Sequence, residues 1–201
     1  VAGYAILVRS DIVDKATGPL LPDSRRAVRI AINETIDWAR ARAARDMRGQ
    51  VAFPASYLGP AGGRLTITKK ASDDDLAAIV TGRHRATSLA RFATNARVGV
   101  RGGARVQVEP GLARFLPKAF FIPLRSGNTD TKNNVGLAIR LPDGKVPSRA
   151  YKPQRLGRGL WLLYGPSVDQ VFDDVAEDIS PEAAERLGDE YLRQLDLVAR
   201  R

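Results

Sequence analysis

The sequence predicts an α+β domain: a small antiparallel sheet covered by a long N-terminal helix and by C-terminal helices. Three observations lead there. An apolar stripe at helical spacing runs from about Ser24 to Met47. From about Val98 the apolar period changes to two. After Gly165-Pro166-Ser167 the pattern becomes helical again, and acidic. No internal repeat, low-complexity tract or linker interrupts the 201 residues. The expectation is one domain, 1–201, with a short N-terminal arm, 1–22, and an acidic helical segment, 166–201.

The opening VAGYAILVRSD is too short, and lacks the basic leader, for a signal peptide; it reads as a short strand or an anchoring arm. The first helix follows LLPD, with Asp23 or Ser24 able to accept from the free first-turn amides. Val28, Ile32, Thr35 or Ile36, Ala39, Ala43 and Met47 form its apolar face. Arg29, Arg40, Arg42, Arg45 and Arg48 fall mostly off that face, and Gly49 is a natural stop. Pro54, Gly59, Pro60, Gly62 and Gly63 then mark a loop. Leu65-Thr66-Ile67-Thr68 alternates and reads as a strand. LAAIVTGRH fits either a strand or a helical turn, and Ala86–Phe92 a weak helix or loop.

Short strands are expected around Val98/Val100, Val106/Val108, Ala119/Phe121/Ile122 and Val135/Leu137/Ile139, in a meander. SGNTDTKNN, Ser126–Asn134, has no apolar anchor and reads as a mobile loop. Leu160–Tyr164 is the last strand, with Gly165-Pro166 ending it and Ser167 placed to cap the closing helix. Ser180-Pro181 should interrupt that helix, since proline suits a first turn and not an interior.

Charge is divided along the chain. Residues 160–201 hold ten acids and four bases, a net of −6. Residues 1–159 hold twelve acids and 28 bases, a net of +16. A basic body with an acidic end can neutralise itself, or pair head-to-tail with a neighbour and close into a ring. The absence of cysteine removes a disulfide framework, a zinc ribbon and a thiol nucleophile. No apolar stretch approaches the roughly 18 residues of a membrane span.

Chemical motifs are sparse. His84, the only histidine, sits among arginines in GRHR with no visible partner set. Asp73-Asp74-Asp75 could hold a cation, but adjacent carboxylates diverge, and Ser72 with Asp75 suits a capping box better. GPAGG lacks the lysine of a phosphate loop, and Gly165-Pro166-Ser167 lacks the second glycine of a hydrolase elbow. VRGGAR reads as a hairpin turn, with a basic loop on phosphate as the sharper option. The expectation is no enzyme, with no catalytic, cofactor or metal residues.

VRIAINETIDWARARAARDM (Val28–Met47), KAFFIPL (Lys118–Leu124) and GPSVDQVFDDV (Gly165–Val175), followed by Leu192-Arg193-Gln194-Leu195, occur in an order that resembles the phage minor tail protein Z family. The resemblance implies a tail-completion protein at the neck of a long-tailed phage, finishing the tail tube and joining it to the head. It implies a ring of copies, typically six, around a channel that passes DNA without specific binding. Neighbouring neck, tail-terminator or tail-tube proteins would be partners. The place would be the virion, after assembly in the host cytoplasm, with no membrane involved. Expected subunit contacts are Asp169, Asp173, Asp174 and Glu177 on the acidic side and Arg97, Arg101 and Arg105 on the basic side. Arg125 and Lys132 are expected in flexible loop contacts. The alternative is a basic DNA-binding accessory protein, which needs Arg25, Arg26, Arg29 and Arg40 aligned on one exposed face.

Overall fold

The computed structural model describes residues 5–9, 22–94, 102–124, 135–142 and 145–200. The chain has the expected α+β class, with long helices near both ends and antiparallel sheets between them. It forms two compact units: residues 1–47, 56–84 and 168–201, and residues 48–55 and 85–167.

The first unit contains a three-stranded antiparallel sheet: β1 (Ala5–Arg9), β2 (Leu65–Lys69) and β3 (Ala77–Gly82), in the order β1-β3-β2. Val80 lies opposite both Ile6 and Ile67. The ambiguous LAAIVTG is thus a central strand; its β-branched pair Ile79-Val80 suits a pleated surface with partners on both sides. Helix α1 (Pro22–Gln50) buries Ala27, Val28, Ala31, Ile32, Thr35, Ile36, Ala39, Ala43 and Met47, the stripe that periodicity marks. It ends at Gln50, one residue past the expected stop at Gly49.

Polar side chains fasten α1 to the β2–β3 turn. Asn33 accepts from the Ala71 amide at 2.9 Å and donates to the Ala71 carbonyl at 3.0 Å. Arg29 Nε lies 2.8 Å from Asp73, Arg25 donates to the Asp73 carbonyl, and Lys70 pairs with Asp37 at 2.7 Å. The Ser72–Asp75 box closes a turn into a strand and not a helix: Asp75 N donates to Ser72 Oγ at 3.2 Å and Ser72 N to the Asp75 carbonyl at 2.9 Å. Only the bond to Ser72 Oγ is shared with a helix capping box; the Ser72 amide meets the Asp75 backbone carbonyl, and the Asp75 carboxylate pairs with Lys69.

A one-turn helix, α2, spans Ala55–Leu58, and helix α3 (Val168–Ala199) packs on β1 and β3. It buries Val168, Val171, Phe172, Val175, Ile179, Ala183 and Leu187, one face at helical spacing. The expected break at Pro181 does not occur. Proline removes one intrahelical bond, to the Glu177 carbonyl, on an exposed face where water can replace it. The buried stripe runs on through both sides of it. Ser180 Oγ also donates to the Ala176 carbonyl at 2.7 Å. Across the unit, Arg42 bridges to Glu182 at 2.9 Å and Arg186 stacks over Trp38 at 5.3 Å.

The second unit holds a five-stranded antiparallel sheet of β4 (Ala86–Ser88), β7 (Ala119–Pro123), β8 (Val135–Arg140), β9 (Gln154–Gly157) and β10 (Leu160–Ser167). The order is β4-β10-β8-β7, and β9 also pairs with β10. A separate ribbon joins β5 (Ala104–Glu109) to β6 (Leu112–Leu116). Phe53 and Phe92, with centroids 5.6 Å apart, lie in a core with Leu89, Val106, Phe121, Leu137 and Leu163. Strand β10 continues through Gly165-Pro166 instead of ending there. Its register shifts between Tyr164 and Ser167, and that irregularity accommodates a residue without an amide hydrogen. The β5–β6 turn is Pro110-Gly111, where Gly111 has φ 80°. Gly102-Gly103 of VRGGAR precede β5, and Gly103, at φ 85°, lies against the Phe115 ring; the first residues of that motif lie outside the described ones. Val98, Val100 and the Ser126–Asn134 loop lie outside the described residues.

Candidate functional site

The charge divides between the two units as it does along the sequence, with the excess of bases in one of them. The unit of residues 48–55 and 85–167 contains sixteen Lys/Arg and three Asp/Glu, a net of +13. The other contains sixteen and nineteen, a net of −3. Within the first unit several bases lie in ion pairs: Arg29 with Asp73, Lys70 with Asp37, Arg42 with Glu182 and Asp46, Lys69 with Asp75, Arg193 with Glu190 and Arg200 with Asp196. In the second unit three carboxylates cannot neutralise sixteen cations. One carboxylate contact in this unit is Arg114–Glu109, at 3.8 Å.

Helix α3 carries the acids. Asp174, Glu177, Asp178, Glu182, Glu185 and Asp189 are exposed, opposite the apolar face. Of the expected acidic contacts, Asp174 and Glu177 are exposed and Asp173 is half-buried. Asp169 corrects the expectation of a surface contact. It is 4% exposed, its Oδ2 lies 2.9 Å from His84 Nδ1, and its amide donates to the Arg83 carbonyl at 3.2 Å. The helix begins where the end of β3 approaches, so the first-turn acid turns inward. Gly82 permits this approach: a Cβ there would sit 2.8 Å from the Asp169 Cα. His84 therefore has a partner, separated by 85 positions in sequence, and its side chain remains 74% exposed.

On the basic side, Arg105 is exposed on β5. Arg97, Arg101, Arg125 and Lys132 lie outside the described residues. A second basic feature escaped the sequence reading. Between Asp143 and Asp169 no acid occurs, while Lys145, Arg149, Lys152, Arg155 and Arg158 do. All five are exposed. The signal was linear: RAYKPQRLGR has a base at every third position.

Local structure holds this segment in place. Residues Arg149–Tyr151 form a 3₁₀ turn, closed by Lys152 at φ 39°. Strand β9 pairs its Arg155 opposite Trp161, and the guanidinium stacks over that ring at 6.0 Å. Tyr164 Oη donates to Gln154 Oε1 at 3.0 Å. Gly159, at φ 63°, completes the β9–β10 turn; a side chain there would meet the Leu141 carbonyl.

A cavity of about 120 Å³ lies in the same unit, lined by apolar residues including Leu89, Val106 and Pro166, with Tyr151, Tyr164, Glu109 and Arg114 at its polar parts. Among the described residues no group of three or more His, Asp or Glu side chains could hold a metal ion. No helix among them is long and apolar enough to cross a membrane. No family model, curated protein or solved structure matches the chain.

Proposed function

We propose that this chain is a structural subunit of a bacteriophage neck or tail-completion ring, joining the tail tube to the head connector. The observation that carries the reading is the presence, in one chain, of an acidic helix and a unit of net +13. In a head-to-tail contact the exposed acids of α3 meet the basic surface around Arg105 of the next copy. Such a contact is heterologous and closes into a ring when the rotation allows. Complementary charge of this kind speeds encounter and sets register. The resemblance of Val28–Met47, Lys118–Leu124 and Gly165–Val175 to minor tail protein Z supports the neck as the place.

The accessory DNA-binding alternative, as drawn on the first helix, loses support. Arg25 and Arg29 are engaged with Asp73, and Arg40 donates to the Leu58 carbonyl at 3.2 Å. These arginines fasten the fold and do not form a free basic face. The test is co-sedimentation of the purified chain with tail tubes lacking their head-proximal end. Stoichiometric incorporation at one end of the tube is expected. A chain that enters no tails, at any salt concentration, contradicts the proposal.

A further inference from the structure

We infer that residues 145–158 form a contact for the phosphate backbone of a nucleic acid, independent of base sequence. The inference stands apart from ring assembly and starts from charge balance. Pairing copies with one another cannot remove net charge, so any homo-oligomer retains +10 per subunit. Small counterions offset that charge in solution, and a polyanion that displaces them gains from their release.

The location follows from the acid-free run. Arg149, Lys152, Arg155 and Arg158 recur every third residue, and all are exposed. They lie on one continuous exposed segment that runs through the 3₁₀ turn and β9 into the β9–β10 turn. Several cations along one segment suit the repeated phosphates of a strand better than a single small anion. Three of the four are arginines, whose planar fork can bind two phosphate oxygens at once. Charged residues also protect edge strands from pairing, and β9 is an edge strand. That role accounts for Arg155, but not for Lys145, Arg149 and Lys152, which lie outside any strand. The segment is anchored through Arg155 over Trp161 and Tyr164 on Gln154, so less ordering is needed on binding.

Without base-edge readers, binding of this kind is governed by counterion release and falls steeply with salt. The experiment uses the full chain and a fluorescent 30-base-pair duplex of arbitrary sequence, titrated between 50 and 300 mM salt. The triple variant Lys145→Glu, Arg149→Glu, Arg158→Glu is compared with Arg26→Glu, Arg45→Glu, Arg200→Glu, which changes net charge equally on exposed sites of the other unit. Circular dichroism checks that both fold. The first variant should bind at least about tenfold more weakly and lower the slope of log K against log salt by about three, one per phosphate contact. The second should keep most of the slope. Equal loss in both variants, or no duplex binding by the unaltered chain at 50 mM salt, overturns the inference. So does tighter binding to phosphatidylserine vesicles than to the duplex, lost in the first variant. Light scattering on the same variants reads oligomeric state separately, so loss of phosphate contact and loss of ring assembly are told apart.

Discussion

At the scale of single residues, buried polar groups carry the sharpest expectations. Asp169 is a buried carboxylate beside the one histidine. Asp169→Ala removes its bond to His84, leaves the backbone bond to Arg83 in place, and should cost about 1–3 kcal/mol by urea denaturation. His84→Ala should cost less, because the imidazole is mostly solvated. Gly82→Ala should destabilise by about 1–3 kcal/mol, since the new methyl meets backbone and not a movable side chain. Glu190 adds a pH dependence. The hydrogen bond from Arg193, helped by Gln194, holds its carboxyl below the ordinary glutamate value despite opposing burial. Its stabilisation is therefore complete above the unfolded pKa, about 4.3, and is lost as pH falls through the lower folded value. Glu190→Gln should flatten the acid limb of stability below about pH 5 and leave the neutral limb's slope unchanged. None of these pairings was legible beforehand. His84 and Asp169 are 85 positions apart. A one-dimensional pattern shows each as an isolated polar residue and says nothing of convergence.

At the scale of elements, the helical stripe was legible and the interruptions were not. The buried positions of α1 are those its 3.6-residue period marks, because one face of a helix must be apolar to pack. Helix α1 ends beside Gly49, but β10 and α3 run on through Gly165-Pro166 and Pro181. Packing of a continuous apolar face overrides one missing backbone bond. Pro181→Ala should then raise stability by about 1–3 kcal/mol, read as a higher denaturant midpoint with unchanged m-value. A fall in stability would mean that the proline shapes the helix to its neighbours. The strands β6 (LARFL) and β9 (QRLG) had no clear alternation and went unread. Both are largely exposed, so burial imposed no pattern on them.

At the scale of the whole molecule, the chain passes between the two units four times, at residues 47/48, 55/56, 84/85 and 167/168. A chain so interleaved has no linker to be read, and its sequence presents as one continuous domain. The sign difference between the two ends was visible in composition. Its redistribution to +13 and −3 needed the fold, since the acids of residues 1–47 and 56–84 belong with α3 and not with the intervening strands. The basic candidates Arg97, Arg101 and Arg105 came from one glycine-bearing loop, while the longer acid-free run at 145–158 was overlooked because no turn motif marked it.

The central claim is that opposite charges on two parts of one chain join copy to copy. The direct measurement is molar mass by light scattering, across salt, for the unaltered chain and for Asp174→Lys, Glu177→Lys, Asp178→Lys. The account predicts a closed oligomer at low salt that dissociates as salt rises, and a triple variant that stays monomeric while remaining folded. A chain that is monomeric at every salt concentration, or a variant that assembles as well as the parent, contradicts it.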